Sequence, residues 1–510
     1  MSSQEALDIE TSTTALTTEL WAASGQNALE SSRILVISGT ATSTSILKNL
    51  VLPGIGSFTI LDPTKVTPED AGNNFFLEGP SSIGKSRAEE AVRLLCELND
   101  SVEGKADQRS LEEVLEKDKD WLLEFTIVIA HNLEPGSLDK LSSLLWQDPA
   151  YPPLVVVRSA GFVAEFYIQY HEHTVIESHP ETAQSLRIDK PFPALLEYSM
   201  SLDFENMDVT DHAHVPYIFI LVRLLEEWKK THNGNPPTTY AEKQKFKKSI
   251  LAMRKKSDEE NFEEAEAQAY RAWTPTTVPS EIKALFSDPK VLSLTTSSPP
   301  FYHLLYALSK FVEEQPYHAL PLTSTLPDIK ASTEAYIHLQ KLYKKRSEEE
   351  KEIFKGYLKV EVPEDMIDAF LKNSHALKLL RGKRWGALDA DPQALASAIE
   401  SGPKQVATHL ALTALATVAA KQQPNAPLTP SVEDLTAAAQ ALLPPGTELP
   451  EEFPAAVGEV ARSPTADLPN TAAFLGGLVA QEVIKMITKQ YIPINGSCVV
   501  DLIDTWTGVL

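Results

Sequence analysis

Cysteine is almost absent: Cys96 and Cys498 are the two in 510 residues. Two thiols exclude a disulfide framework and any cysteine-based zinc cluster. The one match to G-x-x-x-x-G-K-[ST], Gly79–Ser86, does not directly follow a predicted strand as a phosphate loop must. No window approaches the roughly 18 apolar residues of a membrane span, so no membrane partner is expected. Met1 to Thr18 is polar and acidic and lacks the apolar core of a signal peptide. Positive charge is also short, with 46 Lys and Arg against 70 Asp and Glu, a net charge of −24. Such a surface repels phosphate backbones, which argues against nucleic acid. Two readings of the acidity stand side by side: plain solubility, and a surface that meets other proteins. A soluble intracellular protein is expected.

What remains is ordinary globular chain, 43% hydrophobic and 23% charged. Its length predicts two structural units, one inserted in the other. Arg33–Ser38 is a short β-branched apolar run that reads as a buried parallel strand. Thr42–Leu52 follows with helical spacing of Ile46, Leu47, Leu50 and Val51, and Ser57–Asp62 reads as a second strand. The alternation continues with a helix over Arg87–Leu98, a strand over Phe125–Ala130, a helix over Leu138–Leu145 and a strand over Leu154–Arg158. Strands alternating with helices predict a mostly parallel sheet covered on both faces.

After Glu165 the texture changes. Phe166–Glu177 reads as a strand pair, and the following chain is mainly helical, over Tyr217–Lys230, Tyr240–Lys256, Asn261–Trp273, Tyr302–Glu314 and Thr333–Phe354. Lys243, Lys245, Lys247 and Lys248 read as a solvated helix face. Gln422–Pro469 is rich in Pro and Ala and reads as loops and short helices linking two units. Thr471–Lys489 is a helix with many small residues, and Ser497–Ile503 is a final strand. The predicted fold class is α/β: a Rossmann-like domain over 1–165 and 466–510, with a large, mainly helical domain inserted over 166–465.

The first strand–helix turn is where a nucleotide fingerprint belongs. G-x-G-x-x-G supplies a tight turn, close approach of phosphate to backbone, and helix–strand packing. The segment here is Gly39-Thr40-Ala41-Thr42-Ser43-Thr44, and one glycine of three survives. Ala41 sets a Cβ where phosphate belongs. Asp62 ends the second strand, where an acid grips a ribose; with the loop degraded, a turn-former before Pro63 is the preferred reading. Cys96 and Cys498 sit among apolar neighbours and read as small hydrophobes, not nucleophiles. His171-Glu-His173 and His212-Ala-His214 are each spaced to share one face of a strand, as metal ligands do, but no third ligand lies nearby in sequence. No catalytic, cofactor-binding or metal-binding residue is assigned.

An ordered set of segments carries a resemblance. It comprises Ile46–Ile60, Glu69–Phe76, Ser82–Glu89, Val175–Pro180, Asp189–Pro193, Leu326–Asp328, Asn470–Gly477 and Gln481–Lys485. Together they resemble the regulatory, non-catalytic subunits of heterodimeric neddylation-activating enzymes, the amyloid precursor protein-binding protein type of the ubiquitin-activating-enzyme family. The resemblance implies a Rossmann-like adenylation fold without a working site, and a domain similar to a catalytic-cysteine domain without its cysteine. It also implies a catalytic partner subunit that binds ATP and magnesium and adenylates the modifier. That subunit forms a thioester on its own cysteine and hands the modifier to a conjugating enzyme and on to cullins. Cytoplasmic and nuclear localisation goes with that role.

Residue by residue, active halves reach the nucleotide with Asn-Arg-Gln-Phe, where this chain has Asn73-Asn74-Phe75-Phe76. Asn74 carries no charge for phosphate. Arg87 stands where active halves carry a lysine. The family's N-terminal Tyr-Asp-Arg-Gln-Leu-Arg-Leu-Trp-Gly is matched by Thr14–Ala22, with Leu16 and Glu19 in place of both arginines. Either the chain does without an arginine contact to the partner's site, or its start is altered. The resemblance also places a partner contact in Leu322–Tyr336, with Leu322, Pro327, Asp328 and Tyr336 as candidates; a loop capping a helix is the plainer reading. Three alternatives compete: a sumoylation-type regulatory subunit, a free-standing nucleotide-binding enzyme, and an adaptor unconnected with modifier activation.

Overall fold

The computed structural model describes residues 25–179, 185–422 and 428–510. Thr14–Ala22, with Leu16 and Glu19, and Pro180 lie outside the described residues. The chain divides into two compact units, one of Met1–Val175 with Leu379–Leu510 and one of Ile176–Lys378.

The first unit is built as β1 (Arg33–Ile37), α1 (Ala41–Val51), β2 (Ser57–Leu61), α2 (Pro68–Asn73), α3 (Arg87–Cys96), β3 (Glu103–Asp107), α4 (Leu111–Lys117), β4 (Ile127–His131), α5 (Pro135–Leu145), β5 (Leu154–Ala160), β6 (Val163–Gln169) and β7 (Glu172–Val175). The second unit contributes α6 (Pro193–Ser201), α7 (Val209–His212), α8 (Tyr217–Thr231), α9 (Tyr240–Ala252), α10 (Glu260–Ala267), α11 (Ser280–Phe286), α12 (Pro289–Leu292), α13 (Pro300–Glu314), α14 (Thr333–Lys355) and α15 (Glu364–Lys372). The chain continues with β8 (Lys378–Arg381), α16 (Pro392–Ser401), α17 (Pro403–Ala419), α18 (Val432–Gln440), α19 (Phe453–Arg462), α20 (Pro469–Thr488), β9 (Ser497–Asp501) and β10 (Trp506–Val509).

The main sheet runs β3-β2-β1-β4-β5-β6-β9-β10. Its first five strands are parallel, and β6, β9 and β10 join antiparallel. Alternation along β1 sends Ile34 and Val36 to one face, against Ile46 and Leu50 of α1, Ala91 of α3 and Val479 of α20. Leu35 and Ile37 turn to the other face, against Val114 of α4 and Leu141 of α5. Burial on both faces explains why these strands read as unbroken apolar runs. Parallel order turns outward from β1 in both directions, to β2 and to β4. The crevice beyond the carboxyl ends of β1 and β4 is therefore the switch point where such folds hold ligands.

The boundaries differ from the sequence-based expectation. Residues 379–465, expected in the inserted domain, belong with the sheet. The cause is burial: Leu410, Ala411 and Ala414 of α17 and Val457 of α19 pack on Ala160 and Val163. A buried charge cluster pins α17 further. Glu165 of β6 receives the Arg158 guanidinium at 3.0 Å, the His409 ring at 2.9 Å and the Ser497 hydroxyl at 2.9 Å. His409 also meets Asp389 at 2.7 Å, and Arg158 lies over the Trp385 ring. Burial works to raise the Glu165 carboxyl, but His409 and Arg158 overcome it and hold it down at about 2. Burial likewise opposes the charge on His409, and the two carboxylates push it up to about 10.

Three further differences stand out. The expected strand pair over Phe166–Glu177 resolves into β6, which starts at Val163 between β5 and β9, and the separate β7, which pairs with β8. β3 is a charged edge strand that shows no apolar pattern. α20, contrary to the sequence expectation, is long and apolar enough to cross a membrane, yet most of that stretch is buried in the unit. Gly476 explains the close fit: a Cβ there would come within 2.8 Å of the Ser45 backbone.

In the second unit the core gathers around α8, with Ile218, Phe219, Leu221 and Leu225 fully buried. Lys243 and Lys245 lie over the rings of Trp273 and Trp228, and Lys247 pairs with Glu266. Arg187 binds Glu350 through Nη1 and Nη2, at 2.6 and 2.8 Å, with both side chains buried. Neither cysteine of the chain falls in this unit.

Candidate functional site

The switch-point crevice is assembled from the ends of β1 and β4 and the start of α1. Ser38 takes a left-handed backbone (φ 79°) and turns the chain out of β1. Gly39 follows, and its N–H donates to Asp62 Oδ2 at 2.7 Å. A side chain at Gly39 would press its Cβ to 3.2 Å from that same oxygen. This is why one glycine survives from the fingerprint. Thr40 caps α1 by accepting from the Ser43 N–H, and its Oγ1 lies 2.7 Å from His131 Nδ1 at the end of β4. The other ring nitrogen of His131 meets Ser159 Oγ at 2.9 Å. Burial depresses the basicity of His131, with Asp467 acting against that and Arg87 adding to it.

Asp62 is more than a turn-former. It accepts from Gly39 N–H, from the Thr64 N–H and hydroxyl, and from Arg87 Nε at 2.7 Å. Arg87 spends its Nη1 on Asp70 at 3.0 Å. Asn74 is folded into the loop: it accepts from Thr44 Oγ1 and Phe76 N–H, both at 2.9 Å, and donates to Gly39 O at 3.3 Å. The start of α1 is also taken. Asp467 accepts from Thr42 N–H at 3.0 Å and from Thr42 Oγ1 at 2.6 Å.

A nucleotide with magnesium does not fit these residues. The helix N-terminus that would draw a phosphate already faces a carboxylate. Arg87 is neutralised by two acids, and Asn74 brings no charge. The Asp62 and Asp467 carboxylates, which a hard cation would need, are committed to N–H and O–H donors.

The ThiF family model matches residues 13–131, a stretch that includes β1, α1, β2 and β4 of this crevice. The NEDD8-activating enzyme E1 regulatory subunit of Xenopus laevis is 35% identical, over 94% of this chain and 94% of its own length. The regulatory subunit AXL of Arabidopsis thaliana is 34% identical over 95% and 96%. The one from Saccharomyces cerevisiae is 26% identical over 93% and 94%. The chain belongs to the NEDD8-activating enzyme E1 regulatory subunit family. Relatives of that type match across both units, so the neddylation type displaces the sumoylation-type, free-standing-enzyme and unconnected-adaptor readings.

Leu322 is not a surface residue: it is buried in the core of the second unit, and its N–H donates to Glu350 at 2.7 Å. Its apolar side chain goes where burial is most favourable. Pro327 and Asp328 are exposed and Tyr336 is half-buried. Cys96 is partly buried against Gly104, and burial pushes its thiol up. Cys498 is buried and pushed up to about 12, first by burial and then by Glu482 and Glu165. Thiols so shifted are poor nucleophiles.

His171 stacks on Trp146 at 3.7 Å between centroids, and His173 is buried in β7. His212 sits in the short helix α7 rather than on a strand, with Nδ1 on Glu259 at 2.8 Å, while His214 meets Thr210 O. Among the described residues no group of three metal-ligating side chains forms. Sequence reasoning missed His131, Ser159 and Asp467. Asp467 precedes α20 and looks like an ordinary helix-start acid, but it serves a helix far away in sequence.

Proposed function

We propose that this chain is the silent half of a heterodimeric NEDD8-activating enzyme, pairing with a catalytic subunit that does the chemistry. The partner binds ATP and magnesium, adenylates the C-terminus of the modifier and carries it as a thioester on its own cysteine, for transfer to a conjugating enzyme and then to cullins. This chain contributes scaffold and surface. The observation that carries the reading is the crevice at the β1–β4 switch point, where the Asp467 carboxylate takes both the N–H and the hydroxyl of Thr42 at the start of α1. ATP–pyrophosphate exchange tests it. The chain alone shows none, and adding the catalytic subunit and modifier produces it; strong exchange by the chain alone overturns the reading.

The exposed Pro327 and Asp328, with Tyr336, form the proposed partner contact. Asp328→Ala leaves stability within about 0.5 kcal/mol, as surface changes do, and weakens capture of the catalytic subunit; unchanged capture removes Asp328 from the contact. Localisation to cytoplasm and nucleus accords with the two free thiols.

A further inference from the structure

The crevice is not merely short of glycines. Its anion position is filled from a distant part of the chain. The N–H and hydroxyl of Thr42, in the first turn of α1, both point at one carboxylate, as they would at two oxygens of a phosphate. That carboxylate is held in place by its own backbone. Gly161 N–H, in the β5–β6 turn, donates to Ala466 O at 3.0 Å, and Thr471 Oγ1 donates back to Gly161 O at 2.8 Å. The same turn is tied to α19, where Phe162 N–H donates to Glu459 at 2.8 Å. Residues on both sides of Asp467 are therefore fixed to the sheet before its side chain reaches α1. His131, buried at the end of β4, bonds Thr40 in the same loop and feels the Asp467 charge.

We infer that Asp467 is a built-in substitute for a nucleotide phosphate: it closes the loop around an internal anion and so excludes an external one. In ligand-binding switch-point folds the loop is completed by its ligand. Here it is complete without one, and α1 is tethered to the segment that leads into α20. The inference concerns this chain's own crevice and holds whatever its partner does.

The test uses the purified full chain, with Asp467→Asn and Asp467→Ala, titrated with sodium tripolyphosphate and followed by thermal unfolding and calorimetry. Asp467→Asn keeps an oxygen for Thr42 N–H and removes the charge. It is therefore the variant expected to stay folded if Asp467→Ala does not. Loss of the anion lowers Tm by about 2–4 °C. Tripolyphosphate then binds Asp467→Asn and recovers part of that shift, while the wild type shows neither heat of binding nor shift. The inference is overturned if tripolyphosphate stabilises the wild type as much as the variant. It is equally overturned if the variant gains no binding, since the carboxylate then blocks nothing.

Discussion

Two regions of the main sheet carry charge in different ways. At the antiparallel end, Glu165, His409, Arg158 and Asp389 form a cluster around a carboxylate with no exposure at all. At the switch point, Asp62, Arg87, Asp70, Asp467 and Thr42 form a looser set in which every acid has at least two donors. The first holds a helix to a sheet, and its members depend on one another. The second fills a place that the fold leaves open. A buried pair cannot lose one member without stranding a charge, whereas a well-supplied carboxylate loses one donor and keeps the rest.

The largest expected effect comes from breaking the buried cluster. Glu165→Ala leaves Arg158 and His409 without their shared acceptor and costs about 3–5 kcal/mol in urea unfolding; a loss below that of a surface change would make the cluster ornamental. The same cluster predicts a pH dependence. His409 is pushed up to about 10 in the folded chain from an ordinary 6.5. Its contribution is therefore complete below about pH 6.5 and is lost as pH rises through about 10. The urea midpoint of the wild type falls across that window more steeply than that of His409→Gln, and equal slopes would remove the histidine from the account.

At the switch point the effects shrink. Arg87→Ala leaves Asp62 with Gly39 and Thr64 as donors and costs about 1–2 kcal/mol; a loss as large as that of Glu165→Ala would erase the contrast between the two regions. The smallest expected effect is none. Restoring the fingerprint with Ala41→Gly and Thr44→Gly confers no ATP binding by calorimetry, because Asp467 still holds Thr42. Binding by that double variant would show that the missing glycines alone had silenced the crevice.

Much of the sheet was legible because β1, β2, β4 and β5 are buried on both faces and must be apolar throughout. β3 was illegible for the opposite reason: Glu103-Gly-Lys-Ala-Asp107 lies on the edge with little to bury. The Pro- and Ala-rich stretch looked like linker because small side chains give little periodic contrast, although α17 is buried over most of its length. At the site, the losses could be read from Ala41 and Asn74, since they concern local spacing. The replacements could not. Asp467 and Thr42 are 425 residues apart, and no local pattern couples them.

That separation bears on how the protein is made. α1 and the edge of β6 leave the ribosome early, and α20 and β9, which cover them, come from the far end of the chain. Until those residues are synthesised, the nascent chain displays a bare helix face and an unpaired strand, both prone to wrong pairing. The late-arriving α20 is itself apolar enough to be taken for a membrane segment. A stop codon before Pro469 would therefore do more than trim a tail. It would release a chain whose first-made half never closes, a natural substrate for chaperones and proteolysis.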